Sequence, residues 1–196
     1  MKRLFDIFFS FIGIVILSPI IFAIFIAIRL YDNGPVFYKA PRVGRNGIIF
    51  KMIKFRTMTI NADKTGASST KADDPRITKP GSILRNYKLD EIPQLFNVLF
   101  GEMSIVGPRP QIKWAVDLYT PEEKQILTVR PGITDYASIK FNNEGEILKG
   151  SDDPDKLYME IIHPEKMRLS LEYVKNKSIF TDIKIIFLTI LSFFKK

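Results

Sequence analysis

Two adjacent carboxylates, Asp90 and Glu91, stand among apolar residues and close to Pro93. Carboxylates in an apolar setting are costly unless a metal, an arginine or a reaction accounts for them. One of them could bind a cation or act as a nucleophile while its neighbour moves a proton. A pair of solvated helix charges is the commoner reason for such a dipeptide, so the pair alone leaves both interpretations open.

Basic residues before and after this pair form a second candidate set, for binding phosphate. Arginine contacts phosphate through parallel N–H donors, and two prolines restrict the backbone on either side of one guanidinium in Pro108-Arg109-Pro110. We therefore predict a clamp for a phosphorylated substrate, although surface charges or contacts with lipid headgroups would use the same residue types. The candidate substrate-binding residues are Lys54, Arg56, Arg85, Pro108 and Arg109.

The composition narrows the kinds of partner and metal. The chain has 196 residues, with 29 Lys and Arg against 21 Asp and Glu and a formal net charge of +8. This balance favours a polyanionic partner: nucleic acid, an anionic membrane surface or a phosphorylated substrate. The lack of cysteine excludes disulfides and cysteine-bound zinc, and the single histidine, His163, argues against a histidine-based site. A metal would therefore be a hard cation held by oxygen atoms, such as Mg²⁺.

An uncharged run near the start of the chain predicts a membrane anchor. Residues 7–28 are 22 residues without a charge, and about 20 apolar residues suffice to cross a bilayer. Ser18-Pro19 lies in the middle, where proline removes a helical hydrogen bond. Basic residues on both sides place both ends at the cytoplasmic face. A re-entrant helix kinked at Ser18 and Pro19 fits these observations, and an ordinary spanning helix that tolerates proline is an equal alternative.

Apolar residues recur at helical spacing near the C-terminal end, with lysines beside them. This pattern is typical of an amphipathic helix at a membrane interface, but a helix that faces the protein core has the same pattern. The predicted anchor favours the interfacial interpretation. The residues are Phe180, Ile183, Phe187, Ile190, Leu191 and Phe194, with Lys184, Lys195 and Lys196.

Two short strands and a loop follow the anchor. Residues 35–39 and 48–55 are predicted to be strands, and Asn46-Gly47 predicts a hairpin turn between them. Residues 59–80 are rich in small polar residues and are predicted to form a loop.

Helices are predicted on both sides of the carboxylate pair. They cover residues 82–89 and 94–100, and Gly101 ends the second. Asp90 and Glu91 would then lie at a helix junction, where a helix N-terminus can favour an anionic phosphate. The other predicted elements are a short strand at residues 103–106, a helix that begins at Pro121, a turn at residues 130–134 and a helix at residues 163–174.

These elements predict an α+β fold. It would consist of a small, mainly helical cytosolic domain with a short β-hairpin, an N-terminal re-entrant membrane helix and a C-terminal amphipathic interfacial helix. Residues 1–30 would form the membrane anchor, and residues 31–196 would form the cytosolic catalytic domain with its interfacial helices.

In combination, the segments resemble the monotopic phosphoglycosyl transferases, also called bacterial sugar transferases. The similarity covers most of the chain in the same order, and its longest block spans residues 89–110. The matching segments are Ser18-Pro19, residues 54–58, residues 74–78, Leu84-Arg85, residues 89–99, residues 101–110, residues 130–134 and residues 182–184.

The resemblance implies a transferase at the cytoplasmic face of the bacterial inner membrane. It would move a sugar-1-phosphate from a UDP-sugar to polyprenyl phosphate, release UMP, and so begin the assembly of a surface glycan or glycoconjugate. Asp90 would be the nucleophile that forms a covalent aspartyl phospho-sugar and a ligand of Mg²⁺, and Glu91 would handle a proton. Lys54, Arg85 and Arg109 match positions that contact phosphate or nucleotide in similar proteins.

One segment departs from the family pattern. After residues 130–134, many relatives continue with Gly and a loop that ends in Gly-Arg, whereas this chain continues with Asp135-Tyr136-Ala137. Residues 135–145 are expected to affect the sugar pocket, so the identity of the donor sugar does not follow from the resemblance.

Two other classes of protein fit parts of the sequence. A silent membrane scaffold would not need Asp90, Glu91, Arg85 and Arg109 together, and a membrane-tethered nucleic-acid binder would need a recognition motif that is missing. We therefore expect an enzyme whose partners are a UDP-sugar, polyprenyl phosphate and membrane lipid, and not nucleic acid. Formation of a homodimer is left open.

Overall fold

The computed structural model describes residues 1–62 and 67–194. Residues 63–66 of the predicted loop, the side chains of Phe193 and Phe194, and Lys195 and Lys196 lie outside the described part. The helices are α1 Lys2–Asp32, α2 Lys79–Asn86, α3 Gln94–Phe100, α4 Lys113–Asp117, α5 Tyr136–Lys140, α6 Glu144–Ile147, α7 Pro154–Leu157, α8 His163–Asn176 and α9 Ile179–Phe194. The strands are β1 Phe37–Val43, β2 Ile49–Phe55, β3 Ser104–Val106 and β4 Gly132–Thr134.

The predicted hairpin is confirmed, since β1 and β2 pair in antiparallel register along their whole length. Asn46 and Gly47 have φ angles of 59° and 78°, and a two-residue type I′ turn requires positive values at both positions. The first strand begins later than predicted and extends to Val43. Pro41 is tolerated inside it because β1 pairs with one neighbour only and is an edge strand.

A second, smaller sheet pairs β3 with β4 in parallel. The prediction of a turn at residues 130–134 is therefore wrong for Gly132–Thr134, which form a strand. Gly107 and Gly132 allow the two backbones to approach closely, because a Cβ atom on Gly132 would lie only 2.1 Å from the backbone nitrogen of Gly107. The close approach fixes the chain just before Pro108.

Helix α1 continues through Pro19 without an interruption of helical structure. Proline has no N–H group for the carbonyl four residues earlier, which is that of Val15. The hydroxyl of Ser18 donates to the Val15 carbonyl instead, at 2.7 Å. The Ser-Pro pair therefore supplies its own substitute donor in an apolar segment.

The two ends of α1 are buried against the rest of the chain, and its middle holds no buried residue. Near the start, the buried Asp6 accepts from the Ser104 hydroxyl at 2.9 Å. Near the end, Ile24 and Ile28 are buried in a cluster that includes Phe55. No residue between positions 11 and 23 is buried. Among the described residues, α1 is the one helix long and apolar enough to cross a membrane, judged by length and composition.

The C-terminal helix α9 exposes one apolar face and buries Ile185. Phe180, Ile183 and Phe187 are exposed, which excludes the core-facing alternative for these side chains. The opposite face holds the buried Asp182, which accepts from Lys2 Nζ at 2.6 Å and from the Tyr173 hydroxyl at 2.8 Å. These bonds attach α9 to α1 and α8.

Helix α3 places the carboxylate pair beside the hairpin. Its Asn97 accepts from the backbone N–H of Ile53 at 2.9 Å and donates to the carbonyl of Lys51 at 2.9 Å. On its other side, Arg3 of α1 donates to the carbonyl of Leu99 at 2.8 Å. The helix is thus held between β2 and α1, and the turn before it lies against the end of β2.

Candidate active site

One turn of 3₁₀ helix, Leu89–Glu91, carries the carboxylate pair between α2 and α3. Helix α2 ends at Asn86 rather than continuing to residue 89, and Lys88 then takes a left-handed backbone with φ of 56°. A left-handed conformation is strained for a residue other than glycine. The turn that follows leaves Asp90 only 7% exposed. The predicted helix junction is confirmed.

The Glu91 carboxylate is paired with two cations. Arg109 donates from Nη1 to Glu91 Oε2 at 3.1 Å and from Nη2 to Glu91 Oε1, which is the two-point geometry of a strong arginine–carboxylate pair. Lys54, near the end of β2, donates from Nζ to Glu91 Oε1 at 2.8 Å. Both carboxylate oxygens of Glu91 are therefore occupied.

The Asp90 carboxylate is buried but makes no hydrogen bond within residues 1–62 and 67–194. Its ion pair with Lys54 is long, with Nζ at 3.9 Å from Oδ2. A buried carboxylate with so little support has a weakly stabilised negative charge. Its oxygens are available to a ligand, whereas those of Glu91 are not.

The surroundings shift the pKa values of the two carboxyls in opposite directions. Burial raises the pKa of Asp90; the charge of Lys54 opposes this effect and that of Glu91 adds to it. Burial also disfavours ionised Glu91, but the charges of Arg109 and Lys54 hold its pKa well below the ordinary value. Glu91 is thus firmly ionised at neutral pH, and Asp90 is the less stable anion. Neighbouring carboxyls with divergent pKa values are typical of sites that divide two chemical roles.

The backbone around Arg109 is braced by its neighbours. The carbonyl of Pro108 accepts from the N–H of Gly132 at 3.0 Å, and the N–H of Arg109 donates to Asp135 Oδ2 at 3.2 Å. Together with the proline on each side, these bonds fix the backbone position from which the Arg109 side chain extends. The pKa of Arg109 is raised, chiefly by the charge of Glu91, so the guanidinium is permanently charged.

Two further arginines add positive charge nearby, Arg85 close to Asp90 and Arg42 close to Arg109. Arg85, in the last turn of α2, is half-buried, forms no ion pair with the described residues, and lowers the pKa of Asp90 by its charge. Arg42 of β1 was not among the candidates; burial and the nearby charge of Arg109 lower its pKa to about 10. Cations thus outnumber carboxylates here, which favours an anionic ligand.

Arg56, a sequence candidate for phosphate binding, is paired with Asp32 rather than with the dyad. Its guanidinium donates to both carboxylate oxygens of Asp32, at 2.7 Å for the bond from Nη1, and from Nε to the Pro35 carbonyl at 2.6 Å. It therefore fastens the end of α1 to the hairpin. Because β2 ends at Phe55, the alternation that would place Arg56 beside Lys54 stops before it.

The structure adds residues from the segment that departs from the family pattern. Asp135 caps α5 through Ser138 N at 2.6 Å, besides bonding to Arg109. Glu144 lies close enough to Arg109 to raise its pKa, and it pairs with the buried Lys166, whose Nζ lies 5.0 Å from the centre of the Tyr158 ring. An Asp before a helix is a recognisable cap signal, but nothing in the sequence marks Lys166.

Of the two carboxylates, Asp90 and not Glu91 has oxygen atoms available to bind Mg²⁺. No group of three or more His, Asp or Glu side chains lies close enough to hold a metal within the described part of the chain. Mg²⁺ commonly uses one or two carboxylates, with substrate phosphates and water as its other ligands. Asp90 has free oxygens and Glu91 does not, so Asp90 fits as the single protein carboxylate of such a site.

Comparison with known proteins identifies the class. The chain matches the family described as bacterial sugar transferase over residues 1–196, and it belongs to that family. The resemblance drawn from the motifs is thereby confirmed, and so is the expectation that the protein is a transferase.

Three relatives illustrate the similarity. The exopolysaccharide production protein ExoY of Sinorhizobium fredii is 34% identical over 204 residues, which cover 96% of this chain and 83% of the relative. The undecaprenyl-phosphate glucose phosphotransferase of Komagataeibacter xylinus is 39% identical, over 96% of this chain and 35% of the relative. The UDP-glucose:undecaprenyl-phosphate glucose-1-phosphate transferase of Klebsiella pneumoniae is 36% identical, over 96% of this chain and 39% of the relative.

Proposed function

We propose that the protein transfers a sugar-1-phosphate from a UDP-sugar to undecaprenyl phosphate and releases UMP. The observation that carries the proposal is the contrast within the dyad: Asp90 is buried without a hydrogen bond to any described residue, while Glu91 is held by Arg109 and Lys54. One carboxylate is thus left for chemistry, and its neighbour organises cations around it. The names of the relatives from Komagataeibacter xylinus and Klebsiella pneumoniae support the choice of acceptor.

The reaction would run in two displacements at one phosphorus atom. A carboxylate oxygen of Asp90 attacks the phosphorus that bears the sugar, the bond from that phosphorus to the UMP oxygen breaks, and UMP leaves. An oxygen of the lipid phosphate then attacks the same phosphorus, and the Asp90 carboxylate leaves. The product is a polyprenyl diphosphate sugar. Two steps suit substrates from different phases, because the soluble nucleotide departs before the lipid enters.

The basic residues would neutralise the diphosphate. An anionic carboxylate reacts poorly with an anionic phosphate unless the charge of the phosphate is balanced. Arg109 and Lys54 lie at the dyad, and Arg85 has no carboxylate partner within the described residues. Arg85 can therefore contact a phosphate without breaking an existing ion pair. Mg²⁺ would supply further charge neutralisation, with Asp90 as its protein ligand and the remaining ligands from substrate and water.

Glu91 would act first by positioning. Its low pKa makes it a weak proton acceptor while Arg109 and Lys54 remain bound to it. When the phosphate groups of the bound phospho-sugar and lipid draw these two cations toward themselves, the pKa of Glu91 rises. Glu91 could then take the proton of the lipid phosphate in the second step.

A re-entrant position of α1 would hold the site at the cytoplasmic membrane surface. Residues at both ends of the helix are bonded to the same domain: Lys2 to Asp182, and Asp32 to Arg56. The uncharged middle has no buried residue and would enter the bilayer. The exposed apolar face of α9, with Phe180 and Phe187, would lie at the interface.

Release of UMP by membranes that contain the protein tests the proposed reaction directly. Membranes are incubated with undecaprenyl phosphate and each member of a panel of UDP-sugars, and UMP is measured. We expect release with at least one UDP-sugar that depends on undecaprenyl phosphate for multiple turnovers. No release with any member of the panel would contradict the proposed function. The sugar that gives release would also identify the donor.

A further inference from the structure

Gln94, the first residue of α3, is fully buried, and neither polar atom of its amide has a hydrogen-bond partner among the described residues. Buried amides almost always have partners, because an unpaired donor or acceptor loses its bonds to water without replacement. A ligand that forms hydrogen bonds with the Gln94 amide would remove this cost.

The backbone places Gln94 next to the dyad. From Leu89 onward the chain is helical, since Ile92 and Pro93 have right-handed helical torsions before α3 begins. Gln94 therefore follows Asp90 by four residues, little more than one turn along this path. The next polar residue of α3 is Asn97, which is bonded to β2. Gln94 thus comes between the dyad and Asn97 along the chain, about one turn from each.

Asn97 shows what a structural amide looks like at this interface. It is also fully buried, but its Oδ1 accepts from Ile53 N, and its Nδ2 donates to the Lys51 carbonyl at 2.9 Å and to Glu102 Oε2 at 2.6 Å. Every bond of Asn97 supports β2 or the end of α3. Gln94, one turn closer to Asp90, forms no side-chain hydrogen bond with the described residues.

We propose that Gln94 binds the phosphoryl group that is transferred, with its Nε2–H donating to a phosphoryl oxygen beside Asp90. This inference rests on the proposed function. Neither the Asp90 carboxylate nor the Gln94 amide has a hydrogen-bond partner among the described residues, and a phosphoryl group at Asp90 presents oxygens that can accept from an amide one turn away. A neutral donor stabilises the charge of the phosphoryl group without pairing with the Asp90 carboxylate in an ion pair.

The test compares Gln94→Met with Asn97→Leu in the purified full-length protein. Met has the length of Gln but no polar atoms, so Gln94→Met should unfold at the wild-type temperature or slightly above it. Its kcat/KM for UMP release should fall by about 10- to 100-fold, as for the loss of one hydrogen bond to a charged group. Asn97→Leu should lower the unfolding temperature because it leaves the partners of Asn97 unpaired.

A second readout does not depend on turnover. Inorganic pyrophosphate should raise the unfolding temperature of the wild type and of Asn97→Leu, and should raise that of Gln94→Met less. The inference is overturned if Gln94→Met is stabilised equally, if its kcat/KM stays within about threefold of wild type, or if it unfolds as early as Asn97→Leu. A wild type that is stabilised by pyrophosphate in a Gln94-dependent way but releases no UMP would refute the proposed function alone.

Discussion

Arg109 binds both carboxylate oxygens of Glu91, and this pair stands directly beside an Asp90 carboxylate that has no hydrogen bond within the described residues. Asp90 and Glu91 have adjacent positions and similar chemistry. Their environments give them different pKa shifts and different freedom to bind a ligand. Glu91 fixes the cations, and Asp90 remains available for reaction.

Replacement of the Asp90 carboxyl should therefore stabilise the fold, and replacement of the Glu91 carboxyl should destabilise it. At pH 7, Asp90→Asn removes a poorly supported buried charge and should raise the unfolding temperature while it abolishes UMP release. Glu91→Gln leaves Arg109 and Lys54 without their anion and should lower the unfolding temperature by several degrees, since breaking a buried ion pair costs about 3–5 kcal/mol at most sites. Thermal unfolding of the two variants against wild type measures both effects. A destabilised Asp90→Asn would contradict the assignment.

The pH dependence of these differences follows from the pKa directions. The folded-state pKa of Asp90 lies above its ordinary value of 3.8, so its ionisation opposes folding, and this penalty appears as the pH rises through the folded pKa. The stability advantage of Asp90→Asn should grow from pH 4 toward pH 7. The contribution of Glu91 is fully present above its ordinary pKa of 4.5 and is lost progressively as the pH falls from there toward its depressed folded value. The Glu91→Gln difference should therefore stay constant from about pH 5.5 to pH 7 and shrink at lower pH.

Arginine-to-lysine changes distinguish Arg109, which acts in the candidate active site, from Arg56, which holds the end of α1. Arg109→Lys keeps the charge but loses the two-point bond to Glu91, so kcat/KM for UMP release should fall at least about tenfold. Arg56→Lys loses the same geometry toward Asp32 and should destabilise the fold by about 1–2 kcal/mol. Steady-state kinetics and thermal unfolding of both variants check this. A raised KM for the UDP-sugar in Arg56→Lys, without loss of stability, would show instead that Arg56 binds the phosphorylated substrate.

The contrast between these arginines shows where sequence reasoning succeeded. The hairpin, the helix junction at Asp90 and the stop at Gly101 all follow from local chemistry: turn residues, left-handed glycine and proline. The assembly of Lys54 and Arg109 around the dyad was also predicted. Their positions depend on a hairpin and a braced Pro108-Arg109-Pro110 segment, both of which have strong local signals.

The pairings that the sequence does not indicate join residues that are distant in the chain. Arg56 was grouped with Lys54 by proximity, but its partner, Asp32, lies at the end of the anchor helix. The strand at Gly132–Thr134 forms only because Gly107 lets two backbones touch. Lys166 lies 22 residues from its partner Glu144, so no local pattern connects them. Such pairings arise from tertiary packing, which overrides local preference.

The position of the anchor can be tested with single cysteines, because the natural chain has none. Leu4 and Leu30 are exposed residues near the two ends of α1, so Leu4→Cys and Leu30→Cys report on each end. In a re-entrant arrangement, a membrane-impermeant maleimide should label both in inverted vesicles and neither in intact spheroplasts. Labelling of one of the two from outside would show that α1 crosses the membrane.

Metal dependence follows from the single free carboxylate. Because Asp90 would supply one protein ligand and the substrate the others, EDTA should stop UMP release and Mg²⁺ should restore it. EDTA alone should leave the unfolding temperature unchanged, since no structural metal site is expected within the described residues. Full activity in EDTA would remove the metal from the proposal.

The central claim is that Asp90 becomes covalently bonded to the transferred group, and the mass of the intact protein tests it most directly. The purified protein is incubated with its UDP-sugar in the absence of undecaprenyl phosphate and then measured by mass spectrometry. We predict a gain equal to one phospho-sugar, located by peptide mapping on Asp90 and absent in Asp90→Asn. An adduct on another residue, or UMP release at the wild-type rate by Asp90→Asn, would contradict the account.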